Sequence, residues 1–314
     1  MKRYRSIRIV ASAGCAALAL ALGVSGCGSD EPADPGTGTE TGTGTQTTVP
    51  TGTVTPTASP SDGEEPTPTT TDDADGGEIS GVPVYYVGDS GGSFRLYREW
   101  RTVPDLGDPV ESAVSAMMSL PPLDPDYSTP WVAPDELEVE REGSGITVDV
   151  SADAFTGSVG SELSALALQQ LVYTATAAST LDGPAATTVT ILQDGAAADA
   201  LGHVRVGEPL TRAPQAEVLS HVWILSPAEG EELDAGEVTI TGYGASFEAN
   251  FLWRVDGPDG TEEGYTLSDE GMGFGELEFT VDLAPGSYTV TVENTSGMGE
   301  GFVPHTDSKT FTVR

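Results

Sequence analysis

Ser161-Glu162-Leu163-Ser164-Ala165-Leu166-Ala167-Leu168-Gln169-Gln170-Leu171-Val172-Tyr173-Thr174-Ala175-Thr176-Ala177-Ala178 contains no glycine or proline and sets Leu163, Leu166, Ala167, Leu171, Thr174 and Ala178 on one side at helical spacing. Ser161 stands where an N-cap is expected. Such a helix needs an apolar surface to cover, and the flanking segments supply it. Upstream, Val82 to Val87 is a β-branched and aromatic run, Gly88 to Gly92 a turn, and Phe94 to Val103 a second strand. In that strand Phe94, Leu96, Arg98, Trp100 and Thr102 alternate with Arg95, Tyr97, Glu99 and Arg101, and the first set reads as the core face. Asp108-Pro109 opens another helix, N-cap then proline, with Val110, Ala113, Val114, Met117 and Met118 as its stripe and Pro121-Pro122 as its stop. Leu137 to Arg141 and Ile146 to Val150 flank a Glu-Gly-Ser-Gly turn, and Thr187 to Leu192 closes the unit. The pattern predicts an α+β domain over residues 81–212, a small sheet with two helices packed on one face.

Beyond a polar joint at Ala213 to Leu219 the chain changes to short strands at regular spacing. The candidates are His221 to Leu225, Glu237 to Tyr243, Glu248 to Val255, Glu262 to Leu267, Glu276 to Leu283, Ser287 to Glu293 and Ser308 to Val313. Turn signals lie between them at residues 256–260, 271–275 and 285–286. Phe251, Trp253 and Val255 share one face, as do Tyr288, Val290 and Val292. Residues 220–314 therefore read as an all-β, immunoglobulin-like sandwich.

The N-terminal part is of a different kind. Lys2, Arg3, Arg5 and Arg8 precede an apolar run from Ile9 to Gly23, which reads as a signal peptide over residues 1–26. The run is short for a transmembrane helix of about 20 residues. Val24-Ser25-Gly26-Cys27 resembles the lipobox of bacterial lipoproteins, which implies lipidation of Cys27 and an anchor on the extracytoplasmic face of the cell membrane. Residues 27–80, rich in Thr, Gly, Pro and Asp, bury too little to offset ordering entropy and read as a disordered linker with a span of roughly 40 Å.

Composition narrows the function. The chain holds 13 Lys and Arg against 49 Asp and Glu, a formal net charge of −36, which argues against nucleic acid as a partner. Of the two cysteines, Cys15 lies in the signal peptide and Cys27 at its end, so the domains hold no thiol for a disulfide or metal.

Val82 to Val87, Val103-Pro104, Ser119-Leu120-Pro121-Pro122, Val148-Asp149-Val150-Ser151 before Phe155, and Leu168 to Thr176, in that order, resemble the GerMN domain of sporulation and spore-germination proteins. Ser119-Leu120-Pro121-Pro122 departs from the Gly-Pro usual there, and Ala196-Ala197-Ala198 is an insertion. Residues 221–314 are similar to the immunoglobulin-like domain that accompanies germination modules, through Ser226 to Gly230, Val238 to Gly242, Phe251 to Val255 and the Gly271 to Gly275 loop. The resemblance implies a role in germination, sporulation or the envelope. Similar domains also occur in lipoproteins that modulate membrane sensor kinases.

The sequence holds no P-loop, His-Glu-x-x-His or Cys-x-x-Cys, and Gly88-Asp89-Ser90-Gly91-Gly92, which has the letters Gly-x-Ser-x-Gly, falls in the turn between two strands and not at the strand-to-helix turn of a nucleophile elbow. His203, His221 and His305 are scattered and read as structural. Asp256, Asp259, Glu262 and Glu263 crowd one turn and Asp269 and Glu270 adjoin another, a set of oxygen ligands that Ca²⁺ would take, but it lacks the Asp-x-Asp-x-Asp-Gly spacing and reads first as turn chemistry. No catalytic, cofactor or metal site is assigned. Of the tryptophans, Trp100 and Trp253 read as core and Trp131 as exposed, pinned in a proline-flanked loop or offered to a glycan. The reading is a non-enzymatic, membrane-anchored envelope lipoprotein that binds a protein or peptidoglycan, against the alternative of a wall-glycan hydrolase with two carboxylates at hydrolytic separation.

Overall fold

The computed structural model describes residues 77–157, 159–202, 204–296 and 302–314. Cys27, the signal peptide, the linker up to residue 76 and His203 lie outside them. In the first domain β1 (Glu78–Ser90) and β2 (Ser93–Pro104) form a long antiparallel hairpin, followed by α1 (Pro109–Ser119) and β3 (Tyr127–Ser128). Then come the hairpin β4 (Leu137–Glu142) and β5 (Gly145–Val150), the helix α2 (Ser161–Ala178) and β6 (Thr188–Gln193). Short elements β7 (Asp199–Ala200), β8 (Val204–Arg205) and α3 (Gln215–Val218) lead out. The α+β class is observed, with its small sheet in two pieces of order β2-β1-β3 and β4-β5-β6, the β5-β6 pair being parallel.

Local chemistry accounts for the helices. Asp108 Oδ1 accepts from the Val110 and Glu111 N–H groups at 2.7 and 3.3 Å, the cap the sequence predicts. For α2 the N-cap is Gly160 rather than Ser161, so it has no side-chain cap. Helix α2 does more than cover apolar surface. The Tyr85 N–H donates to Thr174 Oγ1 at 3.1 Å, and Gln170 Nε2 donates to the Tyr85 carbonyl at 2.9 Å. Two side chains one helical turn apart thus serve a stretch of β1 edge that no strand pairs among the described residues. Pro83, without an N–H, lies on that same edge parity, where its lack of a donor leaves the β1-β2 ladder intact.

The second domain is a sandwich. Its strands are β9 (Val222–Ser226), β10 (Glu232–Leu233), β11 (Gly236–Ala245), β12 (Asn250–Gly257), β13 (Gly260–Leu267), β14 (Phe274–Leu283), β15 (Gly286–Asn294) and β16 (Thr306–Val313). They form sheets β10-β16-β15-β12-β13 and β14-β11-β9, with Ile240, Phe251, Val290, Val292 and Phe311 at 1% exposure or less between them. Trp253 packs against this core, its ring stacked on Phe279 at 4.6 Å, and glycine at 264 leaves room for it, since a Cβ there would lie 2.3 Å from the ring.

Two tryptophans differ from expectation. Trp100 is 45% exposed, because β2 buries the opposite face, Tyr97, Glu99, Arg101 and Val103. Trp131 is 4% exposed, its indole N–H donating to the Ala167 carbonyl of α2 at 3.1 Å and its ring against Phe155.

Candidate functional site

The residues with most chemistry gather where the two domains meet. On β16 the residues of one parity, Asp307, Lys309, Phe311 and Val313, are all buried; the last two fill the sandwich, and the first two meet the loop after α1. Lys309 Nζ forms an ion pair with Asp124, lies 3.3 Å from Asp307 Oδ2 and donates to Tyr127 Oη at 2.8 Å. Tyr127 donates to Asp307 Oδ1 at 2.9 Å, and the Ile224 N–H reaches Asp307 Oδ2 at 2.7 Å. One ammonium thus serves two carboxylates and a phenol away from water. Burial pushes the Asp307 carboxyl up, with Lys309 pulling it back, and pushes the Tyr127 hydroxyl well up. Tyr127 stacks on Tyr97 at 4.4 Å across Gly88, where a Cβ would come within 2.9 Å of both rings.

Beside this cluster Glu99 binds Arg101 at 2.9 Å and accepts the Leu123 and Asp124 N–H groups at 3.0 Å, which fixes the inserted loop. Arg101 also donates to Tyr86 Oη and the Pro121 carbonyl, each at 3.0 Å.

A second group holds two of the three histidines, which are apart in sequence and together in space. His221 and His305 stack at 4.4 Å, and His305 Nδ1 lies 2.8 Å from Ser90 Oγ, which in turn lies 2.9 Å from Ser220 Oγ. Burial lowers both imidazoles, His221 to about 4, with His305 adding to the shift at His221 and Arg95 to both. The Ser-His pair has no route to a substrate: Ser90 is 2% exposed and Ser220 is fully buried.

A cleft of about 570 Å³ is lined by Arg98 and Trp100 of β2, Leu225 and Thr241 of the sandwich, and the acidic Asp269, Glu276 and Glu278. The Arg98 guanidinium lies 4.7 Å from the Trp100 ring centre and 5.7 Å from that of Tyr243.

Two of the turn carboxylates hold their own turns. Asp256 accepts from Arg254 at 2.9 Å and Thr261 at 2.6 Å, and Asp269 Oδ1 takes the Glu276 N–H at 2.7 Å. Among the described residues no cluster of His, Cys, Asp or Glu has the geometry to hold a metal ion, and no helix is long and apolar enough to cross a membrane.

Residues 83–199 match the family model described as sporulation and spore germination (Germane), and residues 221–299 match the immunoglobulin-like domain of bacterial spore germination (Gmad2). Packing of the first domain continues past the matched segment, through Leu201, Val206, Val218 and Leu219. No curated protein sequence matches the chain. A crystal structure of an engineered protein is 18% identical over 50% of this chain and 39% of that one, with a TM-score of 0.24, too low to bear on the fold. The chain pairs a sporulation and spore-germination domain with the immunoglobulin-like domain of bacterial spore germination, docked through a buried seam.

Proposed function

We propose that the protein is a non-catalytic binding module of the germination and sporulation apparatus, held by lipid on Cys27 at the extracytoplasmic face of the cell membrane. The observation that carries the binding role is the seam itself. Lys309, Asp307, Asp124 and Tyr127 tie two germination-type domains into one body, so that β2 and the sandwich together wall a cleft neither makes alone. A fixed relative orientation suits recognition, because a partner meets a surface whose ordering cost folding has already met. Both family descriptions concern germination. The lipid anchor is supported by the sequence before Cys27.

The test is photocrosslinking in cells from a probe placed at Trp100 or at Met272, which is 74% exposed, with identification of the captured molecule, in parallel with incubation of the full chain with peptidoglycan. Capture of a defined partner without release of wall fragments is the expected result. Turnover of peptidoglycan that vanishes when two of the chain's carboxylates are neutralised would replace this reading with a hydrolase. For the anchor, Cys27→Ser is expected to leave the membrane fraction, and a variant that stays there refutes lipidation as the means of attachment.

A further inference from the structure

Strand β2 ends its sheet on one side. Beyond Leu96, whose carbonyl accepts the Ser220 N–H at 3.0 Å and which bridges Leu219, no strand pairs with that edge among the described residues. The ladder shows which groups it offers. Tyr85 turns its N–H and carbonyl away from β2 toward α2, so the Tyr85–Arg98 pair exchanges no bonds, and Arg98 must turn its own N–H and carbonyl outward. By the period of two, Trp100 does the same. Beyond the Leu96–Leu219 bridge Arg98 and Trp100 line a cleft together with Leu225 and Ser226 at the end of β9.

The opposite wall is acidic. Glu276 and Glu278 stand on one face of β14, both exposed and neither in an ion pair among the described residues. Alternate residues of a strand are about 6.6 to 6.8 Å apart, so an extended peptide carrying basic side chains at alternate positions matches these two carboxylates in spacing as well as in sign.

We propose that this cleft binds an extended peptide with two basic side chains in alternate positions, added as a strand to the open edge of β2 at Arg98 and Trp100. Main-chain bonds to the edge supply affinity, and Glu276 and Glu278 select charge. The assignment rests on the binding role proposed above and names its partner chemistry.

The experiment is fluorescence anisotropy of a labelled acetyl-Val-Lys-Val-Lys-Val amide titrated with the full chain, beside the same peptide with its central Val replaced by Pro and one with Glu in place of Lys. Binding of the first peptide and not of the other two is expected. Glu276→Gln with Glu278→Gln should weaken binding about five-fold, two exposed ion pairs' worth. Glu138→Gln with Glu140→Gln, the same charge change at the same spacing on β4, should leave it unchanged. Trp100→Pro, which removes an outward N–H as well as the ring, should bind more weakly than Trp100→Ala; if it does not fold, the proline peptide decides the same point. Equal binding of the proline peptide, equal losses in the two Glu-to-Gln pairs, or no binding at millimolar protein overturns the proposal. Those results leave partner capture standing, whereas no capture from either Trp100 or Met272 defeats the binding role itself.

Discussion

Replacing Lys309 by methionine removes the one cation from a site where Asp124 is 3% and Asp307 8% exposed. Taking one partner from a buried pair typically costs about 3 to 5 kcal/mol, since the remaining charge is neither solvated nor paired. Asp307 keeps the Tyr127 hydroxyl and the Ile224 N–H, and Asp124 Oδ1 keeps the Asp126 N–H at 2.8 Å, so the lower end, about 3 kcal/mol, is expected. Because these bonds cross the domain seam, the loss should also divide a single urea transition, followed by tryptophan fluorescence, into two. Adding Asp124→Asn to Lys309→Met takes away one stranded charge and should return more than half of the loss. Acid should help as well. A carboxyl held above its ordinary pKa in the folded state has its stabilising contribution below the unfolded value and loses it as pH rises through the folded value. Asp307 is already raised by burial, and without Lys309 it rises further, so the deficit of the variant should shrink as pH falls. A Lys309→Met loss under about 1 kcal/mol with one transition, or no rescue by Asp124→Asn, would refute the reasoning.

The remaining predictions concern the same scaffold. His221 and His305 are held below the ordinary histidine pKa, so their neutral forms stabilise the fold; that contribution is complete above about 6.5 and is lost as pH falls toward the His221 value of about 4. His221→Gln should flatten the acid side of a plot of melting temperature against pH, and an unchanged slope would remove this pair from the seam's pH response. Thr174→Val leaves the buried Tyr85 N–H without an acceptor and should cost about 1 to 3 kcal/mol by urea denaturation. Trp131→Ala should cost about 3 to 5 kcal/mol, against well under 1 for a substitution at an exposed loop tryptophan.

The sequence discloses what local periodicity controls, and the seam depends on little that is local. The Asp108 cap, α2 and the seven longer sandwich strands follow from spacing, since each is settled within a few residues; the two-residue strand β10 was too short to show. In β2 the alternation was visible, but which face is buried was not. Glu99 and Arg101 belong inside because the Leu123 and Asp124 amides and the Pro121 carbonyl come to them, and that loop's path is not written in the strand. Trp131 owes its burial to the Ala167 carbonyl, 36 positions away, and Ser90 meets His305 across 215. No window of sequence spans such pairs. One signal was nevertheless present. Asp307 and Lys309 continue the parity of Phe311 and Val313, so a strand whose apolar residues face a sandwich core carries opposite charges along that same face. The two charges lie 3.3 Å apart and pair with each other, but an apolar core satisfies none of their remaining hydrogen-bonding capacity, so the pattern points to polar groups from elsewhere at the end of the sandwich. Asp124 and Tyr127 of the first domain are those groups. The charged end of an otherwise apolar strand is thus a mark of domain docking, and it is the point at which two separately readable domains become a single cleft.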